Sequence, residues 1–348
     1  MRGLTISAHG GLDQLQYRTD LPSPVLTAPT DVRIRVLAGA LNHLDLFVVG
    51  GLPNVKITPP WIVGCDAAGV VDEVGSAVDS VEVGDHVIVN AGISDRTCEY
   101  CRAGEQSECV NFAVLGEHLP GTFAEEIVLP SFNVRRIPRH IKMEVAAAFP
   151  LATLTAWRMM VTKAQVRAGD TVLIWGIGGG VSLACMLVAL THGAQVWVTS
   201  GSDAKLALAR KLGAHEGFNH HTVDVAKEVR TRTNKRGVDI VVDSVGAATW
   251  TKSLLSLGRG GRLVTCGGTS GPMVEMDIRR LFWYQWKIYG STMGNDREFD
   301  AVAKELCEGR LLPLVDMVFP LEEGRAAYER MAAGEQFGKI VLRIAPRD

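Results

Sequence analysis

No stretch of this chain runs about 18 residues without a charged or polar break, so a membrane-spanning helix is not expected. An excess of one charge is missing too. Thirty-six Lys and Arg stand against 38 Asp and Glu, a formal charge of −2 that offers nothing to nucleic acid or anionic lipid. Residues 1–20 hold no basic segment followed by an apolar core, so no secretory leader is expected there. Internal repeats and low-complexity tracts are absent. An odd count of seven cysteines argues against a disulfide framework. Three of them crowd between 98 and 109, which suits a reducing cytoplasm and a metal site better.

What is present is an ordinary globular composition, 47% apolar and 21% charged. At 348 residues the chain is long enough for two domains. The most informative stretch runs from Thr171 to Ser202. An apolar strand, Val172 to Trp175, enters a turn carrying Gly176, Gly178, Gly179 and Gly180. A helix-length apolar run, Val181 to Leu190, follows, and then a second strand, Gln195 to Thr199. Glycines there let the backbone turn tightly and approach a pyrophosphate, while the helix start aims free N–H groups at its charge. The flanking strand and helix are what separate this pattern from a chance glycine cluster. Gly176, Gly178, Gly179, Gly180 and Val181 are therefore expected to bind a dinucleotide.

An NAD site usually carries an acid at the tip of the second strand, roughly 20 residues past the glycines, to hold the ribose 2′-OH. Here the tip reads Thr199-Ser200-Gly201-Ser202, with Asp203 one step later as a candidate helix cap and Lys205 beyond it. A neutral tip at Ser200 with Lys205 nearby tolerates a 2′-phosphate. NADPH is expected in preference to NADH. Further strands at Val238–Val242, Arg262–Cys266 and Lys287–Tyr289 continue an α/β pattern whose ligand-bearing turns lie at the carboxyl ends of the strands.

Residues 1–150 read differently. Short strands such as Val32–Leu37, Gly69–Val74, His86–Val89 and Ala124–Val128 are separated by Gly, Pro, Asp and Ser, as in an irregular antiparallel β domain. The expected fold class is α/β: a Rossmann doubly wound parallel sheet over 151–295, and an irregular, mainly antiparallel β domain from 1–150 with 296–348, with a cleft between the two.

Several motifs, in order, carry a resemblance. They are Leu41-Asn42-His43-Leu44-Asp45, Val63-Gly64-Cys65-Asp66-Ala67-Ala68-Gly69, Val83-Gly84-Asp85-His86-Val87, Pro150-Leu151-Ala152-Thr153-Leu154-Thr155-Ala156, the glycine stretch, and Gly338-Lys339. Together they resemble the medium-chain dehydrogenase/reductase superfamily over essentially the whole chain, and the resemblance implies a GroES-like β domain paired with the Rossmann domain. The Asn42…Asp45 pattern is most similar to its quinone oxidoreductase-like branch. The resemblance implies a small-molecule substrate, a nicotinamide cofactor and a homo-oligomer, dimer or tetramer. It places Thr155, Val245, Cys266, Gly267 and Met293 at the nicotinamide end, and puts His220 where similar reductases have a phosphate-contacting Tyr.

Departures from the family matter as much. The catalytic zinc ligands of its alcohol dehydrogenases, and the acid after the second of them, fall at Asn42, Cys65, Leu151 and Asp66. Leu151 cannot bind metal and an amide is a poor zinc ligand, so only Cys65 and Asp66 remain, short of the three protein ligands such sites need. The hydroxyl that relays the alcohol proton falls at Leu44, which has none. A catalytic zinc is thus not expected, with Asn42 and Asp45 as the candidate catalytic pair. The spacing Asp95-x2-Cys98-x2-Cys101-x7-Cys109 matches the family's structural zinc lobe, with Asp95 in place of its first Cys. One structural Zn2+ is expected there. The resulting expectation is a cytoplasmic, NADPH-dependent reductase of quinones, enones or related conjugated carbonyls. Its rivals are an alcohol dehydrogenase with a remodelled zinc site on Cys65 and Asp66, and a nucleotide-binding protein with no catalysis.

Overall fold

The computed structural model describes residues 1–53 and 55–345, and the chain divides into two compact units, Met1–Leu154 with the segment from Gly294 onward, and Thr155–Met293. Among the described residues no helix is long and apolar enough to cross a membrane.

The middle unit is built on six parallel strands: β1 Thr171–Ile174, β2 Gln195–Ser200, β3 Glu216–Asn219, β4 Val238–Val242, β5 Leu257–Thr265 and β6 Lys287–Gly290. Their order is β3-β2-β1-β4-β5-β6. Strands buried on both faces by crossover helices must be apolar throughout, and Val172, Leu173 and Ile174 are all 0% exposed. The order reverses between β1 and β4, and ligands of open α/β sheets bind at that switch point beyond the strand ends. The glycine turn follows β1 and so stands there. Gly176 and Gly178 have φ of +68° and +122°, which a side chain would resist. The helix Gly180–Thr191 begins with Gly179 as its cap.

In sequence the helix after β2 offered Asp203 as its cap. The structure gives that role to Ser202, whose hydroxyl accepts from the Lys205 N–H at 3.4 Å. Asp203 is drawn instead to Asn219 Nδ2 at 2.8 Å. The helical run after Pro150 is also more particular than its spacing suggests. It is α-helical over Pro150–Trp157 and widens to a π-helix over Arg158–Lys163, where Arg158, Met159 and Met160 are buried.

The outer unit carries strands in the order Val134–Arg136, His86–Val89, Asp66–Val74, Asp31–Ala40, Lys339–Arg343 and Val315–Pro320, with Glu126–Pro130 also paired to Asp31–Ala40. All these pairings are antiparallel except that of the last two. Alternation is visible in Asp31–Ala40, where Val32, Ile34 and Val36 are 0% exposed and the arginines between them are not. The C-terminal strand Lys339–Arg343 pairs with the end of Asp31–Ala40, in register Val341↔Ala40. Asp66 is the partner of that same Ala40 from the other side. This register sets the first residue of one strand and the first of another beside the turn at Asn42.

Candidate functional sites

Three places bear chemistry, two in the outer unit and one in the middle unit. The first grows out of the register just described. Asn42 precedes the helix His43–Gly50. The Asp45 carboxylate reaches back to accept the Asn42 N–H at 2.6 Å, which fixes the entry of that helix. The Asn42 amide is held on both sides. Its oxygen accepts from Lys339 Nζ at 2.6 Å, and its nitrogen donates to Asp66 at 2.9 Å and, more loosely, to the Ala40 carbonyl at 3.3 Å. Asp66 also accepts from Lys339 Nζ at 3.0 Å and from the Leu151 N–H at 2.8 Å.

The side chains of Asn42, Asp45, Asp66 and Lys339 are all buried, with Asp66 at 0% and Lys339 at 4% exposure. Cys65 donates its thiol to Asp45 at 3.3 Å. Burial pushes the Asp45 carboxyl up to about 7 and the Cys65 thiol well above its usual range. The Tyr328 hydroxyl is buried without a partner, and its pKa is raised by that burial and then by Asp45 and Cys65. Lys339 and Tyr328 are the members sequence reasoning missed. Lys339 belongs to the Gly338-Lys339 pair, but nothing local says that it returns to residue 42.

The second place is the segment after Gly92–Ile93, a strand that pairs with Ala113–Val114. Asp95, Cys98, Cys101 and Cys109 bring one ligand atom each to within 4.8 Å of one another. Cys98 and Cys101 flank the start of the short helix Glu99–Arg102, so a single turn aims both sulfurs inward. The N–H groups of Asp95 and Asn111 donate to the Cys109 sulfur at 3.3 and 3.4 Å. N–H donors aimed at sulfur favour a thiolate. Asp95 is held well below the usual carboxylate range by the Cys98 and Thr97 N–H groups and by Asn111. The backbone N–H of Cys101, helped by that of Val110, lowers the Cys98 thiol, while burial pushes Cys101 up to about 12. Three sulfurs and one carboxylate, convergent and supplied with N–H donors, fit a tetrahedral zinc.

Phe112 anchors the lobe: its ring lies where a side chain on Gly92 would be, 2.8 Å from the Cβ position. Arg96, unremarked in the sequence, binds it further. Its guanidinium grips Asp296 and covers the Phe132 ring at 3.8 Å.

The third place is the glycine turn of the middle unit. Gly176 donates its N–H to Thr199 Oγ1 at 3.1 Å, and Ile177 to the Thr199 carbonyl at 2.8 Å. The Ser182 hydroxyl staples the turn by donating to the Gly176 and Gly179 carbonyls, both at 3.0 Å. No side chain caps the helix Gly180–Thr191, which leaves its first N–H groups for a ligand. A Cβ on Gly176 would meet only Val245, at 3.9 Å.

The turn bearing Val245 is built by Asp243, fully buried. It accepts from the Val245 and Gly246 N–H groups and from the hydroxyls of Thr249 and Ser253. At the tip of β2, Ser200 is buried and accepts from the Ser202 N–H at 3.1 Å. His221 and His220 present Nε2 atoms 2.5 and 3.3 Å from where a Cβ on Gly201 would stand. Lys205 is half-buried one turn beyond.

Thr155 is buried, Cys266 is half-buried with its thiol pushed up to about 12 by burial, and Gly267 is exposed. Met293, buried at a φ of +49°, takes a conformation that side chains rarely adopt. The donor set and the open cradle fit a dinucleotide pyrophosphate.

Two families of domain match this chain: the alcohol dehydrogenase GroES-like domain over residues 28–139 and the zinc-binding dehydrogenase over 180–308. The chain belongs to the medium-chain dehydrogenase/reductase superfamily, and it is an oxidoreductase of that superfamily. Among solved structures it is similar to one described as an NAD-dependent alcohol dehydrogenase, at 40% identity and a TM-score of 0.94, covering 99% of this chain and 100% of that one. It is 30% identical to the acryloyl-coenzyme A reductase of Metallosphaera sedula, over 98% of this chain and 99% of the relative. It is 27% identical to the quinone oxidoreductase of Homo sapiens, over 98% and 97%.

Proposed function

We propose that this chain is an NADPH-dependent reductase of conjugated carbonyl compounds, enones or quinones, that works without a catalytic metal and carries one structural zinc on Asp95, Cys98, Cys101 and Cys109. One observation carries the reading. The acid at the family's catalytic-metal corner, Asp66, has its oxygens occupied by an ammonium, an amide and a backbone N–H. The ammonium of Lys339 already balances this carboxylate, which supports a corner that works without a metal ion. Names of relatives on both sides, a quinone oxidoreductase and an acryloyl-coenzyme A reductase, support conjugated substrates.

Bound NADPH supplies the hydride. As it adds to the β-carbon of the substrate, the C=C electron pair shifts toward the carbonyl and charge develops on oxygen. Asn42 Nδ2 donates to that oxygen, exchanging the long contact to Ala40 for it. Asp45 holds the turn that presents Asn42, through the Asn42 N–H. The α-carbon takes its proton from solvent. In the middle unit the glycine turn and the helix from Gly180 to Val181 hold the pyrophosphate. Thr155, Val245, Cys266, Gly267 and Met293 would hold the nicotinamide, and Ser200, Lys205 and the two imidazoles at Gly201 would receive the 2′-phosphate.

The chain works in the cytoplasm as a homo-oligomer. None of the helix Ile278–Tyr284 is buried, and Phe282 and Trp283 are 64% and 65% exposed beside the open sheet edge at β6. Exposed aromatics of that extent favour self-association.

Consumption of NADPH with a panel of enones and quinones, together with elemental analysis of the protein, tests the proposal. Turnover with one zinc per chain is the expected result. The solved relative described as an NAD-dependent alcohol dehydrogenase favours a second reading, a remodelled zinc site on Cys65 and Asp66. Two metals per chain and alcohol oxidation abolished by chelator would establish it instead. Ser200→Asp should move cofactor preference toward NADH by about tenfold, read as the ratio of kcat/KM values.

A further inference from the structure

We infer that Lys339 is a positioning residue for the reduction: its ammonium fixes the polarity of the Asn42 amide and strengthens its N–H as a donor. The inference rests on the reductase reading above and adds to it the group on which Asn42 depends. An ammonium has three donors and no acceptor. Nζ lies 2.6 Å from Asn42 Oδ1 and 3.0 Å from Asp66 Oδ2, with the lysine side chain 5% exposed and that of Asp66 0%. Turning the amide over would press its own N–H groups against that cation. Asn42 therefore presents nitrogen, never oxygen, on the side of Asp66 and Ala40.

The same contact has an electronic consequence. A cation on the amide oxygen draws electron density toward it and makes the N–H groups better donors, an effect enlarged by the low dielectric of a buried site. A substrate oxygen that gains negative charge during hydride addition is then met by a charge-assisted donor prepared in advance. Only the long contact to the Ala40 carbonyl has to be exchanged for it. Asp66 completes the arrangement by balancing the ammonium and by anchoring itself to the Leu151 N–H.

Lys339→Met leaves the buried Asp66 carboxylate without its counter-ion, so the double variant Lys339→Met/Asp66→Asn, which removes both charges, is the one expected to keep its fold. Steady-state kinetics of wild type, both variants and Lys339→Arg are measured with NADPH and a series of aryl enones whose ring substituents vary in electron withdrawal. Loss of the cation should lower kcat by roughly 10–100-fold with KM within about threefold. It should also steepen the dependence of log kcat on substituent, because the substrate must then carry more of the charge itself. Lys339→Arg, which keeps the charge, should recover most of the rate. A folded double variant with wild-type kcat and substituent slope overturns the assignment alone, as does a loss confined to KM. A wild type inert toward the whole series overturns the reductase reading and this assignment with it.

Discussion

The outer unit holds two corners rich in metal-ligand side chains, and they are built on opposite plans. At the first, Cys65, Asp45 and Asp66 stand near Lys339, and every strong acceptor is already met by a donor of the chain itself. At the second, Asp95, Cys98, Cys101 and Cys109 converge, no Lys or Arg among the described residues is paired with any of the four, and the donors that reach the Cys109 sulfur are backbone N–H groups. Backbone donors stabilise a thiolate without neutralising it, so a cation is still called for. An ammonium neutralises, so a second cation is not. Ligand-type residues alone do not decide metal binding. What decides is whether the fold brings their atoms together and whether it has supplied a positive charge of its own.

The sharpest way to break that contrast is to remove the built-in cation. Lys339→Met should destabilise the fold by about 3–5 kcal/mol, the cost of a buried charge left unpaired, while the double variant with Asp66→Asn should lose far less. Urea unfolding of the two measures it, and equal losses would deny the ion pair its role.

Next in size is a pH effect at the same corner. Burial holds the Asp45 carboxyl up at about 7 against an ordinary 3.8. Between those values the native state keeps a proton that the unfolded chain has released. The associated stability is complete below about pH 4 and is lost as pH rises through about 7, up to about 4 kcal/mol in all. Asp45→Asn should flatten that part of the stability-against-pH curve, and an unchanged curve would assign the slope elsewhere.

At the other corner, where a structural zinc is proposed, Cys109→Ser should abolish zinc binding and lower stability by about 2–3 kcal/mol, seen as a fall of several degrees in Tm. The proposed enone reduction, assayed where the variant is folded, should persist, because the lobe is proposed to brace structure and not to carry the reaction. The smallest change expected is Asp95→Cys, which completes a four-sulfur set and should tighten zinc by about tenfold in chelator competition. A weaker site would mean that the Asp95 hydrogen bonds to Thr97, Cys98 and Asn111 matter more than its ligand atom.

Much of the architecture was legible because it rests on local rules. Apolar runs punctuated by glycines marked β1, β2 and β4 to within a residue or two, and the glycine turn needed only neighbours in sequence to be read. The sulfur lobe was legible for the same reason, since Cys98 and Cys101 share one helical turn. Caps and helix widening were not. Ser202 displaced Asp203 because Asn219, 16 residues on, competes for the acid. The π-helical turn at Arg158–Lys163 has no signature in its residues.

Sequence by itself determined the class of fold, the glycine turn and the inventory of groups at residues 42, 45, 65 and 66, because each depends on spacing along one segment. Tertiary structure alone decided what that inventory can do. Lys339 meets Asn42 across 297 positions of chain, through the pairing of the C-terminal strand with Asp31–Ala40, and no local pattern encodes that distance. The charge of a buried site is a property of everything folded around it, and so it becomes readable only once the strands have found their register.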